Sequence, residues 1–161
     1  MKNVYLAGGC FWCITPVFYD MEGVKEVISG YSGGEVENPT YEQVKSQTTG
    51  HREAVKVVYD EAKVSYGELL DVFLNSVDPF DDGGQFIDRG HSYTLAVFYN
   101  DEEEKNTACK KIKEIEEISG KKTYIEVCAY ENFYAAEEYH QDYFRKNPEA
   151  FEKEMKESGR I

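Results

Sequence analysis

Apolar and polar positions along the chain follow two periods, one typical of strands and one typical of helices. Ala54–Tyr59 alternates apolar and polar side chains, which predicts a strand with one buried face. Ser65–Val77 repeats apolar residues at helical spacing, and Ser65 with Glu68 forms a capping box at its start. The same patterns predict strands at Asn3–Ala7, Val24–Tyr31, Thr94–Tyr99 and Thr123–Cys128. They predict helices at Asp101–Ser119 and Ala135–Lys146, a short one after the Thr40/Gln43 capping box, and one starting between Cys10 and Pro16.

Strands and helices interleave without an internal repeat. This order predicts an α/β or α+β two-layer sandwich, with a mixed β-sheet flanked by helices, and it does not determine the strand order. The chain of 161 residues is long enough for a real core and contains no linker-like tract, so we expect one domain over residues 1–161. The loop from Asp78 to Ser92 is long for a compact domain, and such loops are often functional.

Charge and composition exclude several classes of function. The chain has 18 basic and 31 acidic residues, a net charge of −13, which argues against a nucleic-acid partner because phosphate binding needs a concentrated basic face. The first residues resemble neither a signal-peptide core nor a membrane span, so we expect a cytoplasmic protein. The 13 Tyr and 9 Phe could supply the walls of a pocket as well as a core.

The motif Gly8-Gly9-Cys10-Phe11-Trp12-Cys13 is the strongest chemical signal in the chain. It places two thiols three residues apart where a strand is predicted to lead into a helix. Unpaired N–H groups at a helix start would stabilise a thiolate and lower the pKa of Cys10, so Cys10 is the first candidate nucleophile. A lone Cys between aromatics is usually a small buried hydrophobe, but the glycines favour an accessible side chain.

Three interpretations of the cysteines compete. A zinc site would need two more ligands, and Cys109 and Cys128 lie 19 residues apart without a paired knuckle, so no metal is expected. A thioredoxin-like dithiol oxidoreductase also starts a helix with CxxC and remains a rival. In the third interpretation, Cys10 attacks a substrate and Cys13 resolves the intermediate as a disulfide, while an acid and hydroxyl donors assist the departing oxygen.

Other candidate groups are weak on sequence alone. Glu53 follows Gly50-His51-Arg52 at a predicted strand start, where an isolated Glu is usually solvated. His51 and His140 are the obvious bases for a Cys–His pair, but neither has a spacing that requires this role. Tyr93 ends the long loop and could present its hydroxyl there, although a tyrosine packs by default.

Five motifs stand in order along the chain: Gly8-Gly9-Cys10-Phe11-Trp12, Gly30-Tyr31-Ser32-Gly33-Gly34, Asn38-Pro39-Thr40-Tyr41, Thr49-Gly50-His51-Arg52-Glu53-Ala54-Val55 and Tyr139-His140-Gln141. Together they resemble A-type peptide methionine sulfoxide reductases, and the similarity spans nearly the whole chain. The resemblance implies that family's fold, an oxidoreductase that repairs oxidised methionine after oxidative stress, no prosthetic cofactor, and thioredoxin or a dithiol as external reductant. We therefore expect a monomer acting on methionine sulfoxide, free or in proteins.

The resemblance also implies roles for individual residues. Cys10 would attack the sulfoxide sulfur and become a sulfenic acid as methionine leaves. Glu53 would be the acid, kept neutral by a partly apolar pocket, because a sulfoxide is a poor electrophile until its oxygen is protonated or strongly hydrogen-bonded. The resemblance further implies that Tyr41 and Tyr93 hold the sulfoxide oxygen, that Asp88 orients the substrate, and that Phe11 and Trp12 form the apolar wall that selects the S epimer.

The sequence departs from many family members at Cys13, where they carry Gly and place their recycling cysteines in a C-terminal tail. No cysteine follows Cys128 here. We therefore expect recycling through a Cys10–Cys13 disulfide that thioredoxin reduces. Cys109 and Cys128 are expected to be buried and inert.

Overall fold

The computed structural model describes residues 1–158 and contains one mixed β-sheet with helices packed against it. The six-stranded sheet has the order β7-β6-β1-β3-β2-β8, in which β6 and β7 are parallel and all other neighbours are antiparallel. A separate two-stranded hairpin pairs β4 with β5. The strands are β1 (Lys2–Gly8), β2 (Val24–Ser32), β3 (Arg52–Tyr59), β4 (Gly84–Gln85), β5 (Asp88–Arg89), β6 (Leu95–Tyr99), β7 (Ile125–Ala129) and β8 (Tyr134–Ala135).

Six α-helices and two short 3₁₀ helices complete the described fold. The predicted mixed sheet flanked by helices is confirmed. The α-helices are α1 (Phe11–Tyr19), α2 (Tyr41–Lys45), α3 (Tyr66–Ser76), α4 (Glu102–Ser119), α5 (Tyr143–Lys146) and α6 (Pro148–Ser158), and the 3₁₀ helices cover His91–Tyr93 and Glu138–His140.

The two faces of the sheet bury different sets of side chains. Val4 and Leu6 of β1 belong to the larger core, where they pack with apolar residues of α1 and α3, whereas Tyr5 and Ala7 belong to a smaller cluster. This alternation follows from the period of two along a strand. The larger core holds α1 against the sheet and so fixes the position of the CxxC motif, which lies at its start.

Both predicted capping boxes start helices. Thr40 accepts a hydrogen bond from Gln43 N–H, and the Gln43 side chain accepts one from Thr40 N–H. The Ser65 hydroxyl accepts from Glu68 N–H at the start of α3. The helix expected to start between Cys10 and Pro16 is α1, which begins at Phe11 and contains Pro16.

The helix predicted over Ala135–Lys146 forms only at its C-terminal end, as α5 (Tyr143–Lys146). Ala135 instead pairs with Gly30 as part of β8, and Asp142 adopts a left-handed φ of 52° that interrupts any helix. The Gln141 side chain hydrogen-bonds the backbone of Ser29 through both its oxygen and its nitrogen, so tertiary contacts replace the helical ladder. The helix α6 that follows was not predicted.

Candidate active site

The turn between β1 and α1 brings Cys10 to the start of a helix. Gly9 adopts a φ of 90°, which favours glycine, and a Cβ on Gly8 would lie 2.8 Å from Cδ1 of Ile14. Cys10 is the N-cap of α1, and its carbonyl accepts a hydrogen bond from Cys13 N–H at 3.0 Å. The two thiols are therefore one helical turn apart, with Cys10 partly exposed and Cys13 buried.

A cavity of about 230 Å³ opens at this point and brings together most of the residues that the sequence singled out. It combines thiols, phenol hydroxyls, carboxylates and apolar surface, which suits a small polar group attached to an apolar one. The lining residues are Cys10, Trp12, Cys13, Tyr41, Ile87, Asp88, Tyr93, Glu154 and Glu157.

Glu53 lies on β3, is only 2% exposed, and is not among the cavity-lining residues of the described chain. Its Oε1 accepts a hydrogen bond from the backbone N–H of Phe11 at 3.1 Å. Burial raises the pKa of Glu53 from 4.5 to about 8; the Phe11 hydrogen bond opposes this rise, and the negative charge of Asp88 adds to it. Glu53 is therefore largely protonated at neutral pH, which is the state that an acid catalyst needs.

The expected low pKa of Cys10 is wrong. The hydrogen bond with Cys13 raises the pKa of the Cys10 thiol well above its usual range, followed in size by burial and by the charge of Glu53. A helix terminus typically contributes less than about 1 kcal/mol, less than one pKa unit, so burial and neighbouring groups outweigh it. Cys10 is therefore a protonated thiol in the resting site.

Two tyrosines bring hydroxyl groups to the cavity. Burial raises the pKa of Tyr41 to about 12, and it raises the pKa of Tyr93 still further. Both hydroxyls therefore remain protonated and can donate hydrogen bonds. The two hydroxyls hydrogen-bond each other, and Tyr93 also hydrogen-bonds Glu53. The backbone N–H of Tyr41 donates to Oε2 of Glu137 at 3.0 Å, which fixes the start of α2 at the cavity.

The two aromatics of the motif occupy different places. The Trp12 indole lines the cavity, donates its N–H to Nδ1 of His140 at 3.0 Å, and stacks on Tyr143 with ring centroids 3.9 Å apart. Phe11 is 1% exposed, packs against Tyr31 and His140, and is not among the cavity-lining residues of the described chain. Of the two aromatics expected to form an apolar wall, only Trp12 thus lines the cavity, while Phe11 contributes the backbone N–H that binds Glu53.

Neither candidate histidine is among the cavity-lining residues of the described chain. His51 is buried, with Nδ1 accepting from Gly34 N–H and Nε2 hydrogen-bonded to the Val36 carbonyl. His140 is 1% exposed and holds Trp12, and burial lowers its pKa, so it stays neutral. His51 therefore holds the backbone at Gly34 and Val36, and His140 holds the Trp12 indole.

The other two cysteines differ from the expectation that both are buried. Cys109 is exposed, because it lies on the solvent-facing side of α4. Cys128 is partly buried on β7, and burial raises its pKa to about 11, with Glu126 adding to the rise. Neither lines the cavity that contains Cys10.

Three lining residues were missed by the sequence reasoning. Ile87, 63% exposed, lies at the hairpin between β4 and β5, and Glu154 and Glu157 belong to α6. The hairpin lies in the long loop that the sequence marked as functional, but nothing in that loop distinguishes Ile87. The acidic pair could not be found because α6 itself was not predicted.

Within residues 1–158, no group of three or more His, Cys, Asp or Glu side chains is arranged to hold a metal ion. The same part of the chain has no helix long and apolar enough to cross a membrane.

Comparison with known proteins identifies the family. The family model for peptide methionine sulfoxide reductase matches residues 2–160. The chain is 48% identical over 157 residues to peptide methionine sulfoxide reductase MsrA 2 of Staphylococcus aureus strain MW2, covering 96% of this chain and 89% of the relative. The chain belongs to the peptide methionine sulfoxide reductase family. The resemblance drawn from the sequence motifs is thus confirmed, and the enzyme is a thiol-dependent reductase of methionine sulfoxide.

Solved structures show the same fold. Mxr1 from Saccharomyces cerevisiae in reduced form superposes with a TM-score of 0.86 at 29% identity, covering 92% of this chain and 86% of that one. Mxr1 in complex with Trx2 superposes with a TM-score of 0.63 at 23% identity, covering 88% of this chain and 84% of that one. The predicted methionine sulfoxide reductase fold is confirmed.

Proposed function

We propose that this reductase acts on the S epimer of methionine sulfoxide, free or in proteins, with Cys10 as nucleophile and Glu53 as acid. The observation that carries the proposal is the buried carboxyl of Glu53, which is protonated at neutral pH and lies against the thiol-bearing start of α1. A sulfoxide oxygen needs a proton or strong hydrogen bonds before its sulfur accepts a nucleophile. A neutral carboxylic acid at this place meets that need.

The reduction step follows from the groups around the cavity. The hydroxyls of Tyr41 and Tyr93 donate hydrogen bonds to the sulfoxide oxygen, and Glu53 supplies a proton to it as Cys10 attacks the sulfur. The sulfur–oxygen bond of the substrate breaks, the oxygen ends on Cys10 as a sulfenic acid, and methionine leaves. Cys10 attacks as a thiolate whose proton has passed to solvent, and a proton from solvent restores Glu53, so atoms and protons balance.

Trp12 and Asp88 position the substrate in this proposal. The indole of Trp12 is fixed by a hydrogen bond and a stacking contact, so it offers a rigid apolar wall for the S-methyl group. Asp88 lies on β5 across the cavity and can accept hydrogen bonds from the substrate backbone or amine. A fixed wall on one side and oxygen-binding groups on another distinguish the two sulfoxide epimers by shape.

Cys13 resolves the sulfenic acid. It lies one helical turn from Cys10 and within hydrogen-bonding contact of it, so its sulfur can displace the sulfenic oxygen as water and form the Cys10–Cys13 disulfide. Thioredoxin or another dithiol then reduces this disulfide. The structure of yeast Mxr1 in complex with Trx2 supports a thioredoxin partner for this family.

We also propose a cellular compartment, an oligomeric state and partners for the enzyme. Thiol recycling of this kind needs a reducing compartment, which supports a cytoplasmic enzyme. The proposed reaction uses only thiol, carboxyl and hydroxyl groups, which supports an enzyme without a metal or prosthetic group. We further propose that it acts as a monomer, with thioredoxin as its protein partner. The net charge of −13 argues against nucleic acid as a partner.

The proposal is tested with the separated R and S epimers of a methyl sulfoxide, first with dithiothreitol and then with thioredoxin as reductant. We expect turnover of the S epimer with both reductants and none of the R epimer. Reduction of insulin disulfides serves as the control for a general dithiol oxidoreductase. Equal reduction of both epimers, or insulin reduction without sulfoxide reduction, would overturn the proposal.

A further inference from the structure

The two sulfurs of the CxxC motif differ in how far an external thiol can reach them. Cys10 is partly exposed at the N-cap of α1 and faces the cavity, whereas Cys13 is 5% exposed and lies one turn further into the helix. We infer that thioredoxin attacks the sulfur of Cys10, not that of the resolving Cys13, when it reduces the Cys10–Cys13 disulfide. This inference rests on the proposed function.

The packing of α1 keeps Cys13 inside. Phe11, Ile14 and Phe18 of this helix are each at most 1% exposed and belong to the larger core. Turning Cys13 outward would require the first turn of α1 to unwind and would expose part of this apolar surface, which costs free energy in proportion to its area. Cys10 precedes the helix, so its sulfur is reached without such a movement.

The geometry of thiol–disulfide exchange strengthens the argument. The attacking sulfur approaches along the axis of the disulfide bond, on the side opposite the leaving sulfur, and access to the attacked sulfur is one of the factors that set the rate. An attacker on Cys10 therefore comes from the side away from Cys13. An attacker on Cys13 would have to come from the side away from Cys10 and reach a residue that is 95% covered by protein.

The exchange balances as follows. A thioredoxin thiolate forms a bond with Cys10, the Cys10–Cys13 bond breaks, and Cys13 leaves as a thiolate that takes up a proton. The second thioredoxin thiol then attacks the first thioredoxin sulfur and releases Cys10 as a thiol. Thioredoxin gives two electrons and ends as a disulfide, and both enzyme cysteines are again reduced.

The test traps the mixed disulfide. The enzyme, carrying Cys109→Ser and Cys128→Ser to remove the other thiols, is first oxidised with the S sulfoxide in the absence of reductant, and methionine and lost thiols are counted. A thioredoxin variant that retains only its attacking cysteine is then added, the mixture is quenched in acid, and free thiols are alkylated with N-ethylmaleimide. Fragmentation of the peptide that contains both cysteines by mass spectrometry locates each modification.

We expect thioredoxin on Cys10 and N-ethylmaleimide on Cys13. Thioredoxin on Cys13, a mixture of both linkages, or no adduct at all after the disulfide has formed would overturn the inference. The oxidation step with the S sulfoxide distinguishes failure of the inference from failure of the proposed function. If methionine is not released and two thiols are not lost, no Cys10–Cys13 disulfide has formed, and the proposed function itself fails. The same trap on the enzyme with all four cysteines shows whether the two serine substitutions alter the result.

Discussion

Replacing Glu53 by Gln tests the acid in the site. Glutamine keeps the shape of the side chain but cannot transfer a proton. We expect Glu53→Gln to slow the formation of methionine by roughly 10²–10⁴, the usual scale of general acid catalysis. The bound oxygen would retain the hydroxyls of Tyr41 and Tyr93, so a residual rate is expected.

The pH dependence of methionine formation tests the role of Glu53 more specifically. With a pKa of about 8, Glu53 is about nine-tenths protonated at pH 7 and about one-tenth at pH 9. The reactive form needs Glu53 protonated and Cys10 ionised, and the pKa of Cys10 is well above its usual range. Below about pH 8, the rate of methionine formation therefore rises about tenfold per pH unit as Cys10 ionises. Above about pH 8, Glu53 loses its proton as fast as Cys10 ionises, so the rate reaches a plateau.

In Glu53→Gln the plateau should disappear, and the rate should continue to rise towards the pKa of Cys10. The assay is single-turnover formation of methionine from the S sulfoxide without added thiol, so that ionisation of a reductant does not shape the profile. Glu104→Gln is the matched control, because Glu104 also has a pKa raised by burial but lies outside the cavity that contains Cys10. A bend near pH 8 that persists in Glu53→Gln, or an unchanged rate, would refute the role of Glu53.

Three further predictions concern the same site. Cys13→Ser should complete one stoichiometric turnover and then fail to cycle with thioredoxin; steady cycling would assign the resolving role to Cys109, Cys128 or an external thiol. Tyr93→Phe removes a hydrogen-bond donor to the sulfoxide oxygen and should lower the single-turnover rate by about tenfold, and an unaltered rate would show that its hydroxyl does not contact the oxygen. Because folding raises the pKa of Glu53 from 4.5 to about 8, the folded state holds a proton that the unfolded state releases, and stability falls as pH rises through this window. Between about pH 4 and 7, the free energy of unfolding of Glu53→Gln, measured with urea, should therefore rise by on the order of 3 kcal/mol relative to that of the wild type. If the free energies of unfolding of the two proteins change in parallel with pH, the raised pKa is contradicted.

The sequence predicted those elements whose signals are local. The capping boxes at Thr40 and Ser65 start helices as expected, because a side chain three residues away satisfies the free N–H group in each case. The continuous helix predicted over Ala135–Lys146 does not form because the structure of this segment depends on distant partners. Gly30 pairs with Ala135, and the backbone of Ser29 binds the side chain of Gln141. Such contacts leave no periodic signal in the segment itself.

In the candidate site, too, local sequence signals were predictive and properties that depend on distant residues were not. Cys10 was found from the CxxC spacing and the glycines before it, but its pKa was predicted in the wrong direction, since burial and the contact with Cys13 are tertiary properties. Glu53 looked like an ordinary surface residue, and only the resemblance to a family marked it as an acid. Its burial and the hydrogen bond from Phe11 supply the physical reason.

The central claim is that the sulfur of Cys10 attacks the sulfoxide. It is tested most directly by counting the methionine released from the S sulfoxide by Cys10→Ser and by wild-type enzyme, with no reductant present. The account predicts one methionine and the loss of two thiols per wild-type chain, and no methionine from Cys10→Ser, because a hydroxyl is far less nucleophilic than a thiol. Release of methionine by Cys10→Ser at a rate close to that of the wild type would contradict it.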